Sequence, residues 1–413
     1  MAMNTIINSP SNFVEIEVVE RKGIGHPDSL ADLIAEDFSN KYSHYCLENF
    51  GVVLNYWFDK VTLSGGVCEL DFGICKILKP VTIYLFGRVT VKFAGHSVPF
   101  ESLFKESCFS VFSQVFGKEF SKDSVIFIFD VNSAIGADHD KTYYSPSSLN
   151  SLNTYENFTA NDTVVCHGYA PHTKTESLCI SVENFLNSEI FKIKYSCTGW
   201  DIKVLIIREN NFYRITVCVP FIASKTPSLQ YYNETKFLIK KELEDFIKKE
   251  EFFNEKESFE FYLNTKDKDN LAYLVAYGSA LDKGDYGAVG RGNRYSGIIS
   301  VNRSTNVEAV NGKNTRNHSG KIYTIMSYSL ASFVYRLIKE PCQVIITTDN
   351  GRLLSDPTLV VVQFDNKHFS LPEKDNVTIG EYSKKMFNEI DKISSAILLR
   401  NPALDFKSFF IYD

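Results

Sequence analysis

Glu20-Arg21-Lys22-Gly23-Ile24-Gly25-His26-Pro27-Asp28-Ser29-Leu30-Ala31-Asp32 is the stretch on which the fold turns. Before it, Phe13 to Val19 alternates like a half-buried strand; after it, Leu30, Leu33, Ile34, Phe38, Tyr42 and Tyr45 recur at helical spacing across Asp28 to Phe50. The chain therefore opens with a strand feeding a helix through a glycine-rich turn. Asp28 or Ser29 is expected to cap that helix, with Asp32 favourable in its first turn. Capping leaves Gly25-His26-Pro27 unexplained. A helix start offers free N–H groups and the positive end of the dipole, so a histidine there is placed to face a phosphate or a leaving oxygen. A carboxylate there can instead hold Mg2+, which prefers oxygen ligands.

Downstream, strands are expected over Val81 to Val91 and Ser124 to Val131, around a helix from Glu101 to Phe116. Asp201 to Arg208 and Tyr213 to Val219 read as a hairpin across Glu209-Asn210-Asn211, and Glu234 to Glu251 as a solvated helix. Strands are expected at Phe259 to Leu263, Leu271 to Ala280, Gln343 to Thr347 and Leu359 to Phe364. Helices are expected at Lys321 to Ile338 and Ile379 to Leu399, and a loop at Asn150 to Asn161. This order suits α+β layers better than a doubly wound sheet.

With 413 residues and 44% hydrophobic content, the chain can build a large core in two or three domains. A net charge of -6 argues against a protein that coats nucleic acid, so any polyanion must meet a local cationic pocket. Nine cysteines without a Cys-x-x-Cys pair fit buried thiols better than disulfides or zinc. No apolar run reaches membrane-spanning length, and a cytoplasmic location with no membrane partner is the expectation.

Two later stretches supply the pocket: Gly284-Asp285-Tyr286-Gly287-Ala288-Val289-Gly290-Arg291-Gly292-Asn293-Arg294 and Gly312-Lys313-Asn314-Thr315-Arg316-Asn317-His318-Ser319-Gly320-Lys321. Glycine lets the backbone approach an anion closely, and Arg and Lys neutralise phosphate oxygens. Apolar segments flank the first loop, so a structured site is expected in preference to a disordered Arg-Gly tail.

Gly25-His26-Pro27-Asp28 opening a helix, Asp59-Lys60-Val61, Gly87-Arg88, Asn161-Asp162-Thr163, Gly284-Asp285, Gly290-Arg291-Gly292-Asn293-Arg294 and Gly312-Lys313-Asn314 occur in this order. Together they resemble the archaeal-type S-adenosylmethionine synthetases, or methionine adenosyltransferases, over nearly the whole chain. The resemblance implies an α+β fold of three subdomains in a pseudo-threefold arrangement, with mixed sheets packed with helices. The approximate divisions are 1–135, 136–280 and 281–413 within one intertwined unit, in a homodimer with active sites at the interface. It implies ATP and L-methionine as substrates: the sulfur attacks C5′, triphosphate leaves, and it is then cleaved to pyrophosphate and phosphate. Mg2+ and K+ are the implied ions.

Carried over by motif, His26 meets the departing oxygen, and Lys60, Arg291, Arg294 and Lys313 surround the triphosphate. Asp28 and Asp285 hold Mg2+, and Asp162 and Asp201 receive the ribose hydroxyls or the methionine ammonium. Asn161 and Thr163 fit turn and capping roles as well as ligand contact; His318 and Lys321 match the family's pattern but also suit capping or carboxylate pairing. Ile135 to Lys141 departs from the family's ATP-associated segment and keeps only Gly136 and Asp140 in place. Gly65-Gly66-Val67 lacks a usual polar residue, and Ser300-Val301-Asn302-Arg303-Ser304 replaces a proline-bearing stretch. The alternatives are a regulatory ATP-binding paralogue, an enzyme for a modified methionine, and an RNA-binding Arg-Gly protein.

Overall fold

A computed structural model describes residues 5–8 (as backbone), 15–133, 143–149, 152, 158–250, 252–268, 271–306, 308–366 and 368–399. The 135–141 segment with Gly136 and Asp140, and most of the expected 150–161 loop, lie outside the described residues.

Three helix-backed sheets, each mixing parallel and antiparallel pairs, make up the architecture and bear out an α+β class. The first is ordered Tyr286–Ala288, Tyr56–Ser64, Val81–Val89, Val125–Asn132. Helices Pro27–Phe50 and Phe100–Phe116 cover one of its faces. Aromatic rings fill the seam: Phe38 lies 4.0 Å from Phe58 and Tyr56 stacks on Phe58 at 4.4 Å. The second sheet runs Ser258–Leu263, Phe212–Cys218, Lys203–Glu209, Ile16–Lys22, Ile299–Ser300 against helices Lys174–Leu186 and Leu229–Lys249. The third runs Thr5–Asn8, Leu359–Phe364, Cys342–Thr348, Val164–Ala170 beneath helix Ser319–Ile338. Segments are shared, since the opening strand pairs with residues 203–209 while the helix after it covers the first sheet.

Local chemistry explains the boundaries. Pro27 sits in the first helical turn, and Gly51 at φ 71 ends the helix by donating its N–H to the Leu47 carbonyl. The cap is His26, not Asp28 or Ser29 as expected: its Nδ1 accepts from the Asp28 N–H at 3.1 Å, which frees the Asp28 carboxylate for a distant partner. The expected hairpin is present, with Asn210 at φ 53, a left-handed position asparagine tolerates.

Other expectations need correction. The solvated helix begins at Leu229, capped by Ser228, and the Ile379 to Leu399 helix is two helices, Glu373–Asn388 and Ile390–Leu399. Leu271 to Ala280 keeps only Leu274–Val275 as strand, because the chain then turns into a short 3-10 helix at Ala280–Lys283. All nine cysteines are free, and six are buried. Among the described residues no helix is long and apolar enough to cross a membrane.

Helix Lys174–Leu186 was not anticipated, although Thr173 and Glu176 form a full capping box at its start. Thr173→Ala is expected to cost about 1 kcal/mol, read as a lower denaturant midpoint with unchanged slope.

Candidate active site

The organising element is one face of helix Pro27–Phe50, where Asp28, Asp32 and Glu36 stand one turn apart and are all nearly buried. Like charges at this spacing repel, so each needs a partner. Asp28 Oδ1 accepts from the Ala288 N–H at 3.0 Å, and its Oδ2 from Lys22 Nζ at 2.9 Å. Asp32 Oδ1 accepts from the Gly290 N–H at 2.8 Å. Glu36 accepts from the Gly312 N–H at 2.9 Å and from Lys321 Nζ at 2.5 and 2.7 Å. Three successive carboxylates thus hang both glycine-rich loops on one helix, over about 12 Å of its axis at 1.5 Å per residue.

Glycine is required where the loops touch the helix. A Cβ on Gly287 would lie 2.1 Å from the Pro27 carbonyl oxygen. Gly312 has φ 76, and its Cβ would lie 2.6 Å from the Phe58 carbonyl oxygen.

At the helix start His26 and Asp28 lie beside Lys22, while Arg294 acts on Asp32 one turn further on. Lys22 spans the gap by also donating to the Arg291 carbonyl at 2.7 Å. The Arg291 side chain is exposed; Arg294 donates to the Gly290 carbonyl at 2.6 Å and keeps a buried Nε without a partner among the described residues. Burial, then the nearby Lys22 ammonium, lowers the His26 pKa to about 4, so the ring is neutral near pH 7. Because Nδ1 accepts the Asp28 N–H, the neutral ring carries its proton on Nε2.

Asp201 is brought beside this turn, since the Trp200 carbonyl accepts from Gly25 N at 3.1 Å. Its Oδ2 accepts from the Ala280 N–H at 2.8 Å, and burial raises its pKa to about 7. Asp285 is exposed, with Oδ1 accepting from Tyr286 N at 2.8 Å.

A second cationic group is built at a strand irregularity. The register between the 56–64 and 81–89 strands shifts between Trp57 and Lys60, turning Asp59 inward while Lys60 stays exposed. Asp59 accepts from Lys60 Nζ at 2.9 Å and Lys313 Nζ at 3.0 Å, and Lys313 also reaches Glu308 at 2.6 Å. These carboxylates outweigh burial and raise the Lys313 pKa, so the ammonium persists at neutral pH. His318 stands at the start of the 319–338 helix without a side-chain capping bond. Burial and Lys313 hold its pKa well below the usual value. Lys321 is spent on Glu36, the carboxylate-pairing alternative of the sequence reading. Asn161 Oδ1 accepts from Ser319 N at 3.0 Å, so it caps the helix at His318. Asp162 takes Thr163 N at 2.8 Å, and Thr163 Oγ1 takes Asn350 N at 3.1 Å, which are turn contacts.

Sequence reasoning missed Lys22, Glu36 and Glu308 and gave Asp59 no role. The available signal was Asp28, Asp32 and Glu36 repeating every fourth residue along one helix face.

Burial raises the Asp32 pKa from 3.8 to about 7. Between these values the folded chain holds a proton that the unfolded chain has lost. The associated stability is full below about pH 4 and is lost as pH rises through about 7. Asp32→Asn is expected to flatten that fall by up to about 1.4 kcal/mol per pH unit, measured by urea unfolding at several pH values.

Two cation-bearing glycine loops anchored on the acidic face of one helix characterise this α+β protein. The family model for S-adenosylmethionine synthetase (AdoMet synthetase) matches residues 1–401. The chain is 32% identical over 374 residues to the S-adenosylmethionine synthase of Methanothermobacter marburgensis, covering 87% of this chain and 90% of that one. It is 33% identical over 366 residues to that of Thermoplasma acidophilum, covering 86% of each. An uncharacterized protein of Streptococcus pyogenes serotype M3 is 33% identical over 357 residues, covering 84% of this chain and 85% of that one. Among solved structures, an unusual S-adenosylmethionine synthetase from Campylobacter jejuni superposes with a TM-score of 0.57 at 15% identity, covering 96% of this chain and 97% of that one; it supports the fold. The chain belongs to the S-adenosylmethionine synthetase family, a family of transferases.

Proposed function

We propose that this chain forms S-adenosylmethionine from ATP and L-methionine, the methionine sulfur attacking C5′ while the C5′–O bond breaks and triphosphate departs. The observation that carries the reading is the suspension of both cationic loops from Asp28, Asp32 and Glu36 on the helix that His26 opens. A neutral thioether needs no general base, so catalysis rests on holding sulfur in line and stabilising the leaving anion. In this reading the Nε2–H of His26 donates to the departing oxygen, and Arg291, Arg294, Lys60 and Lys313 take the phosphates. Asp162 and Asp201 serve the ribose or the methionine ammonium. Asn161, Thr163, His318 and Lys321 shape the pocket wall, and Gly136 and Asp140 complete the nucleotide contacts. Hydrolysis of the triphosphate follows on the same cations, water adding to a phosphorus as the bridging P–O bond breaks to give pyrophosphate and phosphate.

Among the described residues no three His, Cys, Asp or Glu side chains form a metal cage. Exposed Asp285 instead fits Mg2+ in the manner that ion prefers, shared with phosphates and water. Asp28 joins it if Lys22 turns to the phosphates. The ion would neutralise charge on the leaving group, and K+ is the proposed monovalent ion. The exposed apolar face of the first sheet, with Phe86, Ile126 and Ile128, supports a homodimer.

Nucleotide products test the bond that breaks. Methionine-dependent loss of ATP without ADP is expected; methionine-independent ADP formation would overturn the reading.

A further inference from the structure

The stretch Ser300 to Ser304, set apart from the family pattern, places Arg303 at a cavity of about 530 Å3 that none of the proposed reaction uses. Such a volume lies within the ordinary range of small-molecule sites. His167, Tyr169, Pro171, Arg303, Pro341 and Asp365 are among its walls.

Arg303 is rigidly held. Its Nε and one Nη donate to the two oxygens of Glu176 at 2.8 and 2.9 Å, that Nη also reaches the Pro171 carbonyl at 3.1 Å, and the guanidinium lies 4.0 Å from the Tyr169 ring centroid. Its other Nη makes no hydrogen bond among the described residues. In the lining of the same cavity, the half-buried Asp365 carboxylate has no hydrogen bond or ion pair among the described residues. The two charges influence each other but do not pair. His167 Nδ1, buried and without a partner among the described residues, lies in the same wall.

A simple anion would meet the Asp365 carboxylate. A simple cation would meet Arg303. A ligand carrying both signs on neighbouring atoms satisfies both groups, while Tyr169, Pro171 and Pro341 offer an apolar wall for its remainder. We infer that this cavity binds a free α-amino acid, its carboxylate toward Arg303 and its ammonium toward Asp365.

The inference does not rest on the proposed reaction, and methionine is left out of the probes to keep the two apart. Each other proteinogenic amino acid is titrated calorimetrically into the full chain, with Asp365→Asn beside wild type. At least one is expected to bind saturably at one site, with affinity lost about tenfold or more in Asp365→Asn, a change of about 1.4 kcal/mol. Its methyl ester and its N-acetyl form, each lacking one charge, are expected not to bind. Asp365→Asn is isosteric at a side chain without a hydrogen-bond partner among the described residues, and an unchanged unfolding midpoint confirms its fold. No saturable binding by any of them, equal affinity in the variant, or equal binding of either charge-deleted form overturns the inference. S-adenosylmethionine formation by Asp365→Asn, expected to match wild type, reports on the reaction separately.

Discussion

Lys313→Met is expected to weaken ATP binding and lower the rate of nucleotide cleavage by roughly 10²- to 10³-fold, the scale of removing one preorganised group from a developing anion. Lys313 is almost fully buried, and Asp59 and Glu308 both depend on its ammonium. Breaking one side of a buried pair typically costs about 3–5 kcal/mol, so stability should fall as well. Asp59→Asn separates the two effects: it frees Lys313 from one carboxylate without removing the cation, so nucleotide affinity should survive better than in Lys313→Met. ATP titration of both variants, with unfolding midpoints as a control, checks this. Equal ATP affinity in wild type and Lys313→Met, both folded, would remove Lys313 from the phosphate site.

His26→Ala is expected to lower kcat by roughly 10²- to 10³-fold while KM changes little, since its donated bond should strengthen only as charge collects on the leaving oxygen. Loss of its capping bond should cost about 1 kcal/mol of stability, measured separately. With its pKa near 4, His26 stays neutral from pH 6 to 9 and should add no step to the rate profile there. Unchanged turnover at saturating substrates would remove His26 from the chemistry.

The sequence made legible those features that local chemistry determines. Strand, glycine turn and helix at the chain's start follow from periodicity and from Pro27, and the Asn210 hairpin from its turn residues. What escaped was carried by distance. Asp28 meets Ala288 across 260 residues and Glu36 meets Gly312 across 276, so no local pattern names those partners. His26 took the cap because the helix begins at Pro27, which places Asp28 within its first turn. The 56–64 strand hid behind its register shift, which breaks the alternation that marks a strand. Leu274 to Tyr277 is apolar because it is buried, with Val275, Ala276 and Tyr277 in the core, and burial alone mimics a strand.

The most direct test of the account is chromatography of S-adenosylmethionine, pyrophosphate and phosphate from the purified chain given ATP, L-methionine and Mg2+. Equal amounts of all three products, absent without methionine and nearly absent in His26→Ala, are the predicted result. A folded chain that binds ATP yet yields no S-adenosylmethionine would contradict it.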